Sequence, residues 1–257
     1  MYGSYIDMMN GLKPQDHLYI LGDVIDRGCE GIRILKDIMK RQKESKTNPE
    51  ITFLIGNHEL IFLKCLETIM KNRMSRKDIY NLIKKEEITD PKLKILKLWM
   101  QNGGSKTILG FLEKETVKEK YSIYNFLYNS YVILPQKIKG KDYLLVHAMP
   151  PKDDIILRKM KETGKGYKLF ELTAQQYAFM LQERDECTYE QAKKVGFTTI
   201  CGHTPEDNGI LKNDEQGFIR IDTGCGHKND TSKLALYCID GDTVEYFDEK
   251  EIEEVEK

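Results

Sequence analysis

Nowhere in the 257-residue chain does an apolar run approach the roughly 18 residues that a membrane-spanning helix requires, so no such span is read. No pair of cysteines has CxxC spacing. Cys29, Cys65, Cys187, Cys201, Cys225 and Cys238 are scattered singly, which fits neither a disulfide framework nor a zinc ribbon and points to a reducing, cytoplasmic setting. The opening text, MYGSYIDMMNGLKPQD, has no basic stretch followed by an apolar one and reads as no secretory leader. Charge of one sign is not in excess either. The 40 Lys plus Arg against 41 Asp plus Glu leave a net charge of -1, which argues against a nucleic-acid partner. Disorder is excluded by a hydrophobic fraction of 40%, and a chain of this length buries about three quarters of its unfolded surface, enough for a core.

Short apolar runs bounded by Gly, Asp or His predict strands at His17–Leu21, Ile51–Ile55, Tyr131–Leu134, Tyr143–Val146, Thr198–Cys201, Phe218–Ile221, Leu234–Ile239 and Val244–Phe247. Helical spacing joins Ile32, Leu35, Ile38 and Met39, then Leu60, Leu63, Leu66 and Met70. Residues 60–130 read almost wholly as helix, through Ile79, Leu82, Ile83, Ile95, Leu98, Trp99, Ile108, Leu109 and Leu112, with Gly103-Gly104 as a break. The expectation is one α/β domain over residues 1–257 with a helical insert at 60–130, which serves either as a substrate-selecting cap or as a solvated helical layer. The run Asp248–Lys257 reads as an exposed acidic tail.

Function is most legible where strands end. The first strand runs into Gly22-Asp23-Val24-Ile25-Asp26-Arg27-Gly28 and the second into Gly56-Asn57-His58-Glu59. Others run into His147-Ala148 and Gly202-His203-Thr204. Loops after strand ends form the ligand crevice of layered α/β folds. If these loops cluster, Asp23, Asn57, His147 and His203 supply oxygen and nitrogen ligands suited to manganese, iron or zinc. Singly, each residue has a plainer reading: an Asp after a strand caps helices, and a lone His is more often structural than catalytic. The set weighs more, because three of only five histidines directly follow apolar strands. His17 reads as a surface residue, His227 as a loop residue, and Cys29 as a small side chain lining a turn.

GDVIDRG, GNHE, VHA and GHT, in that order, resemble the signature blocks of the phosphoprotein phosphatase family of calcineurin-like metallophosphoesterases, closest in flavour to small bacterial and phage-type serine/threonine phosphatases. WMQNGGSKT at Trp99–Thr107 and IDTGC at Ile221–Cys225 are in keeping with it. The resemblance implies a layered β-sandwich flanked by helices and two divalent metal ions. Asp23 would bridge the ions, and Asn57, His147 and His203 would complete the second ion's shell. His58 would protonate the leaving oxygen, oriented by Asp26, after direct attack of a metal-activated hydroxide. Arg27 would grip the phosphate, with Arg184 as a second arginine and Arg158 as its rival; Gln182 stands where the family has Trp before that arginine.

The family's opening Asp-x-His-Gly block is not matched: Gly3-Ser4-Tyr5 resembles the text after its His, and Tyr2 stands at the His position. Two expectations follow, a start upstream of Met1 or an incomplete first metal site. The implied substrate is a phosphorylated protein or a small phosphoester. The alternatives are a dinucleoside polyphosphate hydrolase, whose relatives usually lack the equivalent of Asp26, and a catalytically impaired pseudo-phosphatase that binds phosphorylated partners.

Overall fold

The computed structural model describes residues 2–26, 30–44, 49–84, 90–226 and 232–248. After α1 (Tyr2–Gly11), strand β1 (His17–Ile20) and strand β2 (Glu50–Phe53) pair in parallel, Leu18 opposite Ile51 and Ile20 opposite Phe53. Parallel neighbours need a crossover, here α2 (Gly31–Lys43). Ile32, Ile34, Leu35 and Ile38 of α2 are buried, while Lys40, Arg41 and Lys43 end it where cations favour the helix dipole. Helix α1, which carries no clear apolar periodicity in the sequence, docks on α2 through Tyr5, whose hydroxyl donates to Asp37 at 2.9 Å.

Helices then run from residue 57 to residue 128: α3 (Asn57–Lys71), α4 (Arg76–Lys84), α5 (Pro91–Trp99), α6 (Ser105–Lys114) and α7 (Val117–Tyr128). Pro91 opens α5, where its missing N–H costs nothing, and Thr116 with Glu119 forms a capping box before α7. The expected break at Gly103-Gly104 does not occur. Met100–Gly104 is instead a π-helical turn joining α5 to α6. A Cβ at Gly104 would overlap the Trp99 indole, so the glycine lets the ring lie flat against the turn. Phe62 lies 5.3 Å from Trp99 and edge-on to Phe111 at 5.1 Å, seating the helices on α3.

The larger sheet comprises β3 (Tyr131–Ile138), β4 (Lys141–Val146), β5 (Tyr167–Lys168), β6 (Thr198–Cys201), β7 (Leu211–Asn213) and β8 (Phe218–Arg220), in the order β5-β3-β4-β6-β8-β7. Lys139 and Gly140, with φ of 48° and 80°, form the two-residue turn of the β3–β4 hairpin. Strands β4, β6 and β8 are parallel neighbours. Helices α8 (Asp154–Thr163), α9 (Ala174–Gln182) and α10 (Cys187–Lys194) lie between β4 and β6 in sequence, and β9 (Lys233–Cys238) with β10 (Thr243–Asp248) forms a closing antiparallel pair.

Alternation along β4 builds two cores. Leu144 and Val146 face the helix-side cluster with Leu157, Met180 and Tyr189. Tyr143 and Leu145 face a second cluster with Ile200 and Ile219, covered by Tyr19 and Leu21 from the β1 side and Tyr237 and Ile239 from the β9 side. The result is a layered α/β sandwich flanked by helices. The eight expected strands are present, and β5 and β7 are additional. No described helix is long and apolar enough to cross a membrane. The expected acidic tail beyond Asp248 lies outside the described residues.

Candidate metal and phosphate site

Four strand ends meet at one edge of the sandwich. Gly22, with φ of 86°, follows β1, and a Cβ on it would overlap the Gly56 backbone, so the loops after β1 and β2 cross in contact. Asp23, Asp26 and His203 hold φ values of 55°, 66° and 67°, a left-handed conformation unfavourable for residues with a Cβ. Such strain persists only where surrounding contacts over-determine it.

Those contacts centre on Glu59, which is fully buried in the first turn of α3. Its Oε2 accepts the Asp23 and Gly56 amides at 2.8 and 2.9 Å, and its Oε1 accepts the Val24 and Ile25 amides at 2.8 and 3.2 Å. The helix terminus also lends its His58 amide, which donates to Asp23 Oδ1 at 3.1 Å. One carboxylate thus ties GDVID to GNHE.

Ligand atoms of Asp23, His147 and His203 all lie within 4.8 Å of one another. His147 Nε2 stands 3.5 Å from Asp23 Oδ2 and 3.0 Å from Asn57 Oδ1, and His203 Nδ1 stands 3.1 Å from the same Asn57 oxygen. His147 Nδ1 is 2.6 Å from the Leu21 carbonyl, which only accepts, so Nδ1 carries the proton. In the neutral ring, Nε2 then presents a lone pair to two oxygens. Three ligand atoms converging this closely fit a divalent cation, and the backbone carbonyl behind His147 is the outer-shell partner that orients a ligating imidazole. His203 has a backbone partner too, at Gln182.

Charge follows the same arrangement. Burial opposes ionisation of Asp23, but His147, His58 and the His58 amide outweigh it and hold the carboxyl below its ordinary range. Burial and the neighbouring His147 push His203 down to about 4, leaving it neutral and able to ligate at neutral pH. Burial, then Asp23, raises Glu59 to about 6.

His58 Nδ1 donates to Asp26 Oδ2 at 2.7 Å, with Asp26 wholly buried. Burial works against protonation of His58, yet the Asp26 hydrogen bond and the Asp23 charge raise its pKa above the ordinary value. The Asp26 carboxylate has two further donors. Trp99 Nε1 donates to Oδ2 at 2.6 Å and Thr107 Oγ1 to Oδ1 at 2.8 Å.

Asp23, Asn57, His58, Asp26, His147 and His203 therefore come together. Exposed Arg184 follows α9 and lies near enough for its charge to depress the His203 pKa. Arg158 sits exposed on α8. Arg27, Cys29 and His227 lie outside the described residues. His17 is on the surface of β1, hydrogen-bonded with Thr52. Tyr2 begins α1 with the Arg33 guanidinium 3.9 Å above its ring. Glu59, Trp99 and Thr107 were assigned no role from sequence. Their only signal was their presence in the GNHE and WMQNGGSKT blocks.

A family profile described as calcineurin-like phosphoesterase matches residues 2–242. The chain belongs to the calcineurin-like phosphoesterase family. Phosphoester hydrolysis is that family's chemistry, usually with two divalent metals. Among solved structures, a protein serine/threonine phosphatase from Saccharomyces cerevisiae, described as similar to human phosphatase PP5, has a TM-score of 0.54 at 11% identity, covering 99% of this chain and 78% of that one. At that identity the likeness is one of fold. The cold-active protein-tyrosine phosphatase of a psychrophilic Shewanella species reaches a TM-score of 0.45 at 14% identity, covering 96% of this chain and 77% of that one. No curated protein matches the chain at a significant level.

Proposed function

We propose that this phosphoesterase is a metal-dependent phosphomonoester hydrolase of the serine/threonine protein phosphatase type, acting on phosphorylated proteins and small aryl phosphates in the cytoplasm. The observation that carries the reading is the Asp26–His58 pair, bonded at 2.7 Å beside the Asp23, His147 and His203 cluster. A divalent ion bound there, manganese by preference, would supply charge neutralisation for the phosphate and a lowered pKa for water.

The chain's own residues do the rest. Asp23, Asn57, His147 and His203 would hold the ion. His58, with Nδ1 committed to Asp26, offers Nε2 to the leaving oxygen. As the bond from phosphorus to the serine or threonine oxygen breaks and one from water forms, the Nε2 proton passes to that oxygen. A histidine kept protonated by a carboxylate suits this task near neutral pH. Arg184 and Arg27 are assigned to the phosphate oxygens, whose geometry a guanidinium matches. The presence of Asp26 favours this reading over a dinucleoside polyphosphate hydrolase.

The test is manganese-dependent hydrolysis of p-nitrophenyl phosphate and of a phosphoserine peptide, run beside His58→Asn. Turnover of both by the parent, with peptide turnover abolished in the variant, supports the proposal. A folded parent that binds phosphopeptide without turning it over replaces the proposal with the pseudo-phosphatase reading.

A further inference from the structure

We infer that Trp99 and Thr107, delivered by the helical insert, are positioning residues for the His58 acid: they lock the Asp26 carboxylate that holds its imidazole. This rests on the proposed hydrolase reading and extends it to the helical insert.

Asp26 is wholly buried in a left-handed conformation, so neither water nor a relaxed backbone orients it. A buried carboxylate oxygen left without a donor is costly, so both oxygens need partners. Here Oδ2 takes the Trp99 indole at 2.6 Å alongside His58 Nδ1 at 2.7 Å, and Oδ1 takes the Thr107 hydroxyl at 2.8 Å. Trp99 and Thr107 are themselves 1% and 4% exposed. With both oxygens engaged, the carboxylate has no rotation left that keeps its bonds, and the imidazole it holds is fixed as well.

The π turn makes the double contact feasible. Eight residues of unbroken α-helix rotate by about 800°, which sets residues 99 and 107 roughly 80° apart around the axis. The wider turn at Met100–Gly104 lowers the rotation per residue and brings both side chains to Asp26. Gly104 leaves the space that the indole fills. The centre of the insert is therefore joined to the acid it supports, a role distinct from both a cap and a solvated layer.

The experiment compares Trp99→Phe, Thr107→Val and Thr107→Ser with the parent on two substrates. Nitrophenolate leaves without a proton, whereas a serine alkoxide does not. Weakened acid catalysis must therefore cost more on a phosphoserine peptide than on p-nitrophenyl phosphate. The expected result is a kcat loss about tenfold larger on the peptide for Trp99→Phe and Thr107→Val, with manganese affinity and aryl-substrate KM unchanged and with recovery in Thr107→Ser. A merely structural role would lower both activities together, and that equal loss overturns the inference.

His58→Asn is the reference. Leaving-group-dependent loss in His58→Asn but not in the insert variants refutes the inference alone, whereas its absence in His58→Asn refutes the hydrolase reading beneath it. A second readout needs no turnover. Trp99 is the sole tryptophan, so its indole N–H gives one NMR signal. In the metal-free protein that signal is expected downfield and protected from exchange, and Asp26→Asn is expected to move it. An ordinary, freely exchanging indole signal contradicts the bond to Asp26.

Discussion

Glu59 holds Asp23 in place through the backbone, its Oε2 accepting the Asp23 amide at 2.8 Å while the Asp23 side chain is left for the site. The same carboxylate takes three more amides, from Val24, Ile25 and Gly56. Glu59→Gln keeps the shape but turns an NH2 toward N–H donors. The expected cost is about 2–4 kcal/mol, from two lost charge-assisted bonds at a buried position. Urea unfolding measures it, and calorimetric titration with manganese is expected to show weaker binding, because the Asp23 turn loosens.

Acid should act oppositely through His203 and Glu59. The folded pKa of His203 lies near 4, below its ordinary 6.5, so the unfolded chain takes up the proton first and stability falls as pH drops through that window. Glu59, near 6 in the fold against an ordinary 4.5, contributes stability at low pH that is lost as pH rises through about 6. Metal-free His203→Asn should therefore retain more of its pH 7 stability at about pH 5 than the parent does, and Glu59→Gln should retain less. Urea midpoints at the two pH values decide it.

Metal should stabilise the fold by mass action. At about a hundredfold excess of free manganese over Kd, binding to the native state alone adds about 2.7 kcal/mol. The melting temperature should rise with manganese and fall back with chelator. His147→Ala and His203→Ala should show no such rise, which tests the ligand set without any turnover.

Arg220 links two loops of the site. Nearly buried on β8, it donates to Glu186 at 2.7 Å, two residues past Arg184, and to Glu206, three past His203. Arg220→Met leaves both carboxylates without this partner and should destabilise by about 1–3 kcal/mol, since the glutamates retain some access to water. It should raise KM more than it lowers kcat if Arg184 grips the phosphate. Steady-state kinetics on p-nitrophenyl phosphate checks this.

Gly104→Ala pushes a methyl into the Trp99 ring. Overpacking there should cost about 1–3 kcal/mol. Because the indole must move away from Asp26, activity on a phosphoserine peptide should fall as it does in Trp99→Phe. A thermal melt paired with that assay separates the two effects.

Tyr143–Val146 was legible because burial on both faces is written into consecutive apolar residues, whereas the half-exposed Leu234–Ile239 and Val244–Phe247 were legible from their apolar and β-branched composition alone. Strands β5 and β7 were not. Tyr167–Lys168 and Leu211–Asn213 carry no such run and are strands only because β3 and β8 offer them an edge. Gly103-Gly104 read as a break because glycine disfavours helix locally. The helical path continues because packing of Trp99 against the turn overrides that tendency.

By itself the sequence determined which chemical groups stand at the strand ends, since Asp23, Asn57, His58, His147 and His203 each follow their strand within a few residues and need only local folding to be placed there. Only the tertiary structure decided how those groups are held. Asp26 meets Trp99 and Thr107 across 73 and 81 residues, Glu59 reaches Asp23 across 36, and His203 reaches Asn57 across 146. Bonds of that span depend on how helices and sheets pack, and no local pattern of residues encodes them.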